Sequence, residues 1–449
     1  MNIILNLIRK SEIDILTKKE KIVIIGAGSL QFGLGSVGSV INSEVLQGSA
    51  ISLHDINQTN LDLVTLSCKE AIEQKNLDLD LESTIDRKKA LKNATFIINS
   101  IEVSPRFELW ERDYEIPRKY GNTQIMGENG GPGGLFHSLR VIPPILEICD
   151  DINKICPDAH VINYSNPMSR ICLAVKRKFP SLNFVGLCHE FPGFVRHYSK
   201  ILNTPLSNLE MRAGGLNHFG VLLSIRYIDK NKDAYPDLRK NALKYLSGAI
   251  GYPYDVDLIK YILEKFGYIP YTQDSHYGEY ISWGWEKANF EGARDFYNKY
   301  KDLTLSTGRR IQKLIKRGKG AKLVKPDFER AIPIIEGIKT DSNHEEASVN
   351  LPNDDVITNI PRDLVVECPA IVTKNGLKAI TLGDYPKGLV ALLRNQASVQ
   401  DLVVESILKK SKEIAFQALL MDPTIENASK AEEMFEEMLK VNQDYIDLQ

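Results

Sequence analysis

The chain has 449 residues, 43% hydrophobic and 25% charged, with a formal net charge of −2. That is enough for two or three ordinary domains around a sizeable core. So even a charge balance sets up no broad field for nucleic acid or an anionic membrane, and neither is expected as a partner.

Residues 1–20 carry a short apolar stretch, Ile3 to Ile8, broken by Asn6. It has neither the length nor the small-residue cleavage site of a secretion signal, and no later run reaches membrane-span length. These residues are read as an N-terminal extension. The six cysteines, Cys68, Cys149, Cys156, Cys172, Cys188 and Cys368, are sparse and form no CxxC pair. They are expected as free thiols in a reducing compartment, so a cytoplasmic location is expected.

After Lys21, the run Ile22 to Gly26 is short, β-branched and closed by glycine, the pattern of a buried parallel strand. Ala50 to Asp55, Ala94 to Asn99, His160 to Tyr164 and Asn183 to Gly186 repeat it, separated by helix-like segments. The alternation predicts a doubly wound parallel sheet of Rossmann type, as in malate and lactate dehydrogenases, over residues 21–203. Residues 204–449 are expected to form a mixed α/β domain, with the active cleft between the two. Glu210 to Gly215 and Val221 to Ile228 read as strands there. Asp257 to Phe266, Tyr297 to Arg317 and Ser398 to Met421 read as helices. Residues 318–360 read as polar and loop-rich, with Thr340 to Val349 as a mobile loop.

Gly26, Gly28, Ser29 and Gly33 follow the first strand directly. Glycines there permit a tight turn and close approach to a pyrophosphate, which the next helix N-terminus favours. Gln31 stands where the usual fingerprint has its third glycine. Asp55 closes the next strand, 27 residues after Gly28, where a carboxylate can accept from ribose hydroxyls. The alternative is a strand-to-helix turn that only needs glycine.

Asn166 precedes Pro167 after another strand, so it is either a helix cap or a ligand group at a strand's carboxyl end. Cys188 and His218 each end a predicted strand. Each is structural when considered alone; together they can hold a divalent ion of the Mn, Fe, Co, Ni or Zn kind.

The ordered set Gly26–Ser29, Gly131–Gly134 with Leu139–Pro143, Asn163–Met168, Gly186–His189 and Asn217–His218 resembles glycoside hydrolase family 4. Thr272–Tyr280, Asn350–Asn353, Asn359–Pro361, Val366–Pro369 and Ala415–Pro423 extend the resemblance from about Lys21 to Pro423. It implies an NAD- and divalent-metal-dependent glycosidase, with Mn2+ as the expected metal. This chemistry lies outside the two-carboxylate scheme. Hydride leaves the sugar's C3, a base removes the C2 proton, the C1 substituent is expelled, and water and hydride return.

By that resemblance Gly26, Gly28, Ser29 and Asp55 bind NAD, and Cys188 and His218 hold the metal. Asn166 binds sugar hydroxyls. Arg140 and Asn217 either line the substrate site or form structural pairs. The base is Asp274 or Tyr277, and His189 serves as acid to the leaving group. The pair His189–Glu190 points to small unphosphorylated α-glycosides: glucosides first, with galactosides and glucuronides left open. A uronate would need a cation such as Arg196 or Arg294. A homodimer or homotetramer is implied. The competing expectations are a 2-hydroxy acid dehydrogenase of malate or lactate type and an NAD-binding sensor without catalysis.

Overall fold

The computed structural model describes residues 19–247 and 255–449. All but the last two residues of the expected extension at 1–20 lie outside the described residues. The strands are β1 (Lys21–Ile25), β2 (Ala50–His54), β3 (Asp80–Thr84), β4 (Phe96–Asn99), β5 (His160–Asn163), β6 (Asn183–Gly186), β7 (Leu209–Leu216), β8 (Phe219–Tyr227), β9 (Lys232–Asp233), β10 (Glu345–Pro352), β11 (Val365–Thr373) and β12 (Gly376–Ala379). They form one sheet in the order β3-β2-β1-β4-β5-β6-β10-β11-β7-β8-β9, with β12 beside β11.

The first six strands are parallel, in the dinucleotide-fold order 3-2-1-4-5-6. Their central members have no polar face: Ile22 to Ile25 and Phe96 to Ile98 are almost wholly buried. Helices cover both sides of a parallel sheet, so such strands read as continuous apolar runs. β3 breaks the pattern: Asp80 to Thr84 is polar and half-exposed at the sheet edge, so no apolar run announced it.

β10 adds antiparallel to β6 through Asn350 and Gly186, so a single sheet continues across position 203. β7 and β8 form a hairpin whose last pair, Leu216 and Phe219, leaves the two-residue tip Asn217-His218. His218, the second residue of that turn, adopts a left-handed φ of 60°. The segment expected to be loop-rich contains a helix, Ala331–Thr340, and then β10. Glu346 and Val349 pair with Ala370 and Cys368, so of the stretch expected as a mobile loop, Thr340 ends a helix, 341–344 connect, and Glu345 to Val349 is sheet. The helix expected over 398–421 is two, Lys387–Lys409 and Lys412–Met421, divided at left-handed Lys410. No helix among the described residues is long and apolar enough to cross a membrane.

Candidate active site

The turn after β1 is closed by contacts that only glycine allows. Gly26 has φ +88°, and a Cβ on it would lie 2.8 Å from the Ser100 carbonyl oxygen. Gly28 donates its N–H to Asp55 Oδ2 at 2.7 Å, and a Cβ there would strike that carboxylate. Gly33 is the second residue of the helix Phe32–Ile41, where a Cβ would lie 2.2 Å from the Ala27 carbonyl oxygen. Gly33 therefore allows the close helix–strand approach that the glycine missing at Gln31 would otherwise provide. Asp55 follows β2 and also accepts from Asn57 N–H at 2.8 Å. The turn opens into a cavity of about 540 Å3, with Ser29 and Phe32 in its wall.

Cys188 and His218 meet in the same cavity. Cys188 follows β6 and His218 is the hairpin tip; Sγ lies 3.2 Å from Nε2. Burial pushes the Cys188 thiol well up, and the nearby acids Glu367 and Glu190 add to this. Burial, with His276 and His189 nearby, pushes the His218 imidazole well down. A divalent cation between them reverses the thiol's preference, because the thiolate is the ligand. The imidazole fits as well. His218 Nδ1 lies 3.2 Å from Asn129 Nδ2, while Asn129 Oδ1 is buried without a partner. Turning that amide over offers Oδ1 to an Nδ1–H and frees the Nε2 lone pair for a metal.

Around this pair stand groups that the sequence did not single out. The His276 ring stacks on His218, with centroids 4.4 Å apart. Glu128, His218 and His276 offer ligand atoms all within 4.8 Å of one another. Glu279, fully buried, accepts from the N–H groups of Glu128, Asn129 and Gly130 and so aims this loop. Burial lowers the affinity of His276 for a proton, yet Glu190, Glu128 and Glu279 outweigh it and raise its pKa. Asn166 lies in the cavity wall, its Nδ2 3.4 Å from Glu128 Oε1 and its Oδ1 buried without a partner. It does not cap the following helix, whose cap position is Pro167. His189 also faces the cavity, 56% exposed, with Glu190 and Glu329 at 3.7 and 3.8 Å.

Three expected site residues lie elsewhere, and a fourth, Asn217, stands beside Cys188 without lining the cavity. Asp274 is 0% exposed, and its carboxylate accepts from the N–H groups of Leu258, Ile259 and Asn289. Its work is to cap one helix and hold the start of another, although burial raises its pKa to about 7. Tyr277 is buried beneath Phe219, ring centroids 4.7 Å apart, with its phenol pKa pushed up by burial. Neither lines the cavity; His276, between them in sequence, does. Arg140 pairs with Asp113 in the interior and donates to Asn442 Oδ1 at 3.0 Å. Asn217 donates to Glu367 at 3.1 Å. Of the two open alternatives, both residues take structural pairing. Arg294 pairs with Glu111 and Glu115, and Arg196 is outside the cavity lining. Two signals for the missed groups were present: Glu128 stands just before the glycine motif at 131–134, and His276 between the two nominated bases.

A glycine-cradled strand–helix turn that shares a cavity with a buried thiol–imidazole pair places this molecule among the dinucleotide-fold enzymes. The description "Family 4 glycosyl hydrolase" matches residues 21–204, and that of the family's C-terminal domain matches residues 213–425. The chain belongs to glycosyl hydrolase family 4. It is 43% identical to an alpha-glucosidase of Erwinia rhapontici, over 95% of this chain and 98% of that one. It is 28% identical to an alpha-galactosidase of Bacillus subtilis strain 168, over 90% and 93% of the two chains. A 6-phospho-alpha-glucosidase from gut microorganisms, crystallised with NAD and Mn2+, has the same fold, with TM-score 0.81 at 22% identity. That comparison covers 96% of this chain and 100% of the other.

Proposed function

We propose that this protein hydrolyses small, unphosphorylated α-glycosides, α-glucosides foremost, with NAD and a divalent metal, Mn2+, as its cofactors. The observation that carries this reading is the 3.2 Å approach of Cys188 Sγ to His218 Nε2 in the cavity that the glycine turn opens into. The alpha-glucosidase relative supports the sugar, and the NAD- and Mn2+-bound structural neighbour supports the cofactors. α-Galactosides and α-glucuronides are the alternatives within the class. Cytoplasmic location and a homodimeric or homotetrameric assembly belong to the same reading.

Gly26, Gly28, Ser29 and Asp55 would hold NAD, and Cys188 and His218 the metal. When bound, NAD supplies hydride acceptance and return at the sugar's C3, and the cation supplies Lewis-acid stabilisation of charge on the sugar oxygens. Asn166 holds a sugar hydroxyl with its unpartnered Oδ1. Glu128 accepts the C2 proton, because it is the carboxylate within reach of both His218 and His276. His276, its proton favoured by the surrounding acids, keeps Glu128 aimed. His189 gives a proton to the leaving group from the open side of the cavity.

The test is release of 4-nitrophenol from a panel of α- and β-glycosides by reduced protein, with and without NAD+, and with Mn2+ or EDTA. Release that needs both cofactors and leaves no net NADH is expected. Steady NADH accumulation would favour the dehydrogenase alternative. NAD binding without cleavage of any glycoside would favour the sensor.

A further inference from the structure

The cavity has a second polar cluster that the reaction above does not use. Glu102 follows β4, and Arg106 opens the helix Arg106–Lys119 one turn later; both line the cavity. The Arg106 guanidinium lies 4.2 Å from the centre of the Trp110 ring and 5.6 Å from that of Tyr300, on the helix Phe290–Ile315. Stacking between two helices holds a planar cation in one orientation. Its Nε is buried without a hydrogen-bond partner, and its ion pair is with Glu102, 3.9 Å from that Nε. Glu102 is itself held by His137, whose Nε2 lies 3.2 Å from it and whose Nδ1 lies 2.8 Å from the Glu128 carbonyl oxygen. The cluster is thus tied to the loop that carries Glu128.

The charge balance of the wall is one-sided. Among the described residues, Glu102, Glu128, Glu190, Asp327 and Glu329 line the cavity, against the guanidinium of Arg106 and the imidazole of His276. A guanidinium with free donors would ordinarily collect a carboxylate or phosphate. Here Glu102 already neutralises it, and a second anion on Arg106 would also stand close to Glu102. A neutral hydroxyl meets no such repulsion, and can accept from the guanidinium while donating to the carboxylate.

We propose that Glu102 and Arg106 form the element that selects uncharged sugars: the pair hydrogen-bonds the hydroxyl at the sugar's C6 end and rejects a carboxylate or phosphate there. This deepens the glycosidase reading and rests on it for the placement of the sugar, with C1 to C3 at Cys188 and His218. Glu102 is the residue that sets the charge preference. Arg106 stays in place on its aromatic shelf in either case, so removing the negative charge beside it converts the same element into an anion site. Specificity of this kind comes from a built-in repulsion of the wrong ligand as much as from attraction to the right one.

The test is calorimetric binding of glucose, glucuronate and glucose 6-phosphate to protein loaded with NAD+ and Mn2+. The parent, Glu102→Gln, Glu329→Gln and Glu102→Gln/Arg106→Gln are compared. Gln at 102 keeps an acceptor for His137, and thermal melting checks each fold. The parent is expected to bind glucose more tightly than either anion. Glu102→Gln is expected to shift the anion-to-glucose affinity ratio by at least about tenfold, and the double variant to lose that shift. An unchanged ratio in Glu102→Gln overturns the proposal. So does an equal shift in Glu329→Gln, which would point to the general field of the wall, or a shift that survives loss of Arg106. Because the readout is affinity, failure of glycoside turnover would sink the hydrolase reading while leaving this ratio measurable.

Discussion

Cys188 Sγ and His218 Nε2 are 3.2 Å apart although thirty residues separate them, because β6 delivers one and the tip of the β7–β8 hairpin the other. Without a cation, burial leaves the two as a thiol and a neutral imidazole, with little attraction between them. Cys188→Ser is therefore expected to lower Mn2+ affinity at least about tenfold while NAD binding persists. Electron paramagnetic resonance of free Mn2+ during titration reads the first, and fluorescence titration the second. Parent-like Mn2+ affinity in the serine variant would remove this pair from the metal site.

Asp274 and His276 stand two residues apart and do different work. His276→Gln is expected to keep the parent's melting temperature and lower kcat by about 100-fold or more, because Glu128, the base, loses the group that aims it, on the scale of a disabled acid–base group. Asp274→Asn replaces an oxygen that accepts backbone N–H groups with a donor. It is expected to cost about 1–3 kcal/mol in stability, with the surviving folded enzyme near the parent's kcat. Urea unfolding and steady-state kinetics on the same samples separate the two. The reverse pattern would return the base to Asp274.

Gly33→Ala puts a methyl carbon where the structure has the Ala27 carbonyl oxygen 2.2 Å away. Main chain cannot swing aside as a side chain can. An overpacking cost of about 1–3 kcal/mol is expected, together with weaker NAD binding, since the turn must shift. Asp55→Ala leaves the packing alone and removes the acceptor of Gly28 N–H. It is expected to weaken NAD with little change in melting temperature.

Arg140→Met strands Asp113 in the interior without its cation. A loss of about 3–5 kcal/mol is expected, the scale of a broken buried pair. Residual folded protein should retain NAD and Mn2+ affinity, because Arg140 lies outside the cavity lining. A selective loss of ligand affinity at unchanged stability would return Arg140 to the substrate site.

Glu279 titrates at about 7 in the folded protein against an ordinary 4.5, chiefly through burial, so its folded form holds its proton while the unfolded chain has lost it. The contribution is fully present below about pH 4.5, and stability falls as pH rises through about 7. Glu279→Gln cannot titrate and keeps an acceptor for the loop N–H groups. The difference in unfolding free energy between parent and variant should therefore change with pH by up to one proton's worth across this window. Chemical denaturation at intervals from pH 4.5 to 7.5 measures it; a constant difference would show that Glu279 does not titrate there.

What the sequence determined by itself was whatever a short stretch specifies. β1 and β4 are apolar runs, and any such run bounded by glycine or polar residues buries on both faces. Gly26, Gly28 and Asp55 were legible because a tight turn and an acidic strand end are local demands. Cys188 and His218 were legible as strand ends, and the family motifs joined them into one site. The tertiary structure decided which way each polar side chain faces, since spacing does not encode direction in a loop or a four-residue helix. Within the helix Asp274–Tyr277, one turn sends His276 to the cavity and Asp274 to the backbone of a neighbouring helix. Arg140 took Asp113 because an unpaired guanidinium cannot stay buried, and the carboxylate that meets it comes from the preceding helix. Glu128, Glu102 and Arg106 acquired their meaning from His276, His137 and Trp110, partners that lie on other elements or a full turn away. The charge of the cavity is a sum over segments from Ser29 to Glu329, and only the folded chain performs that sum.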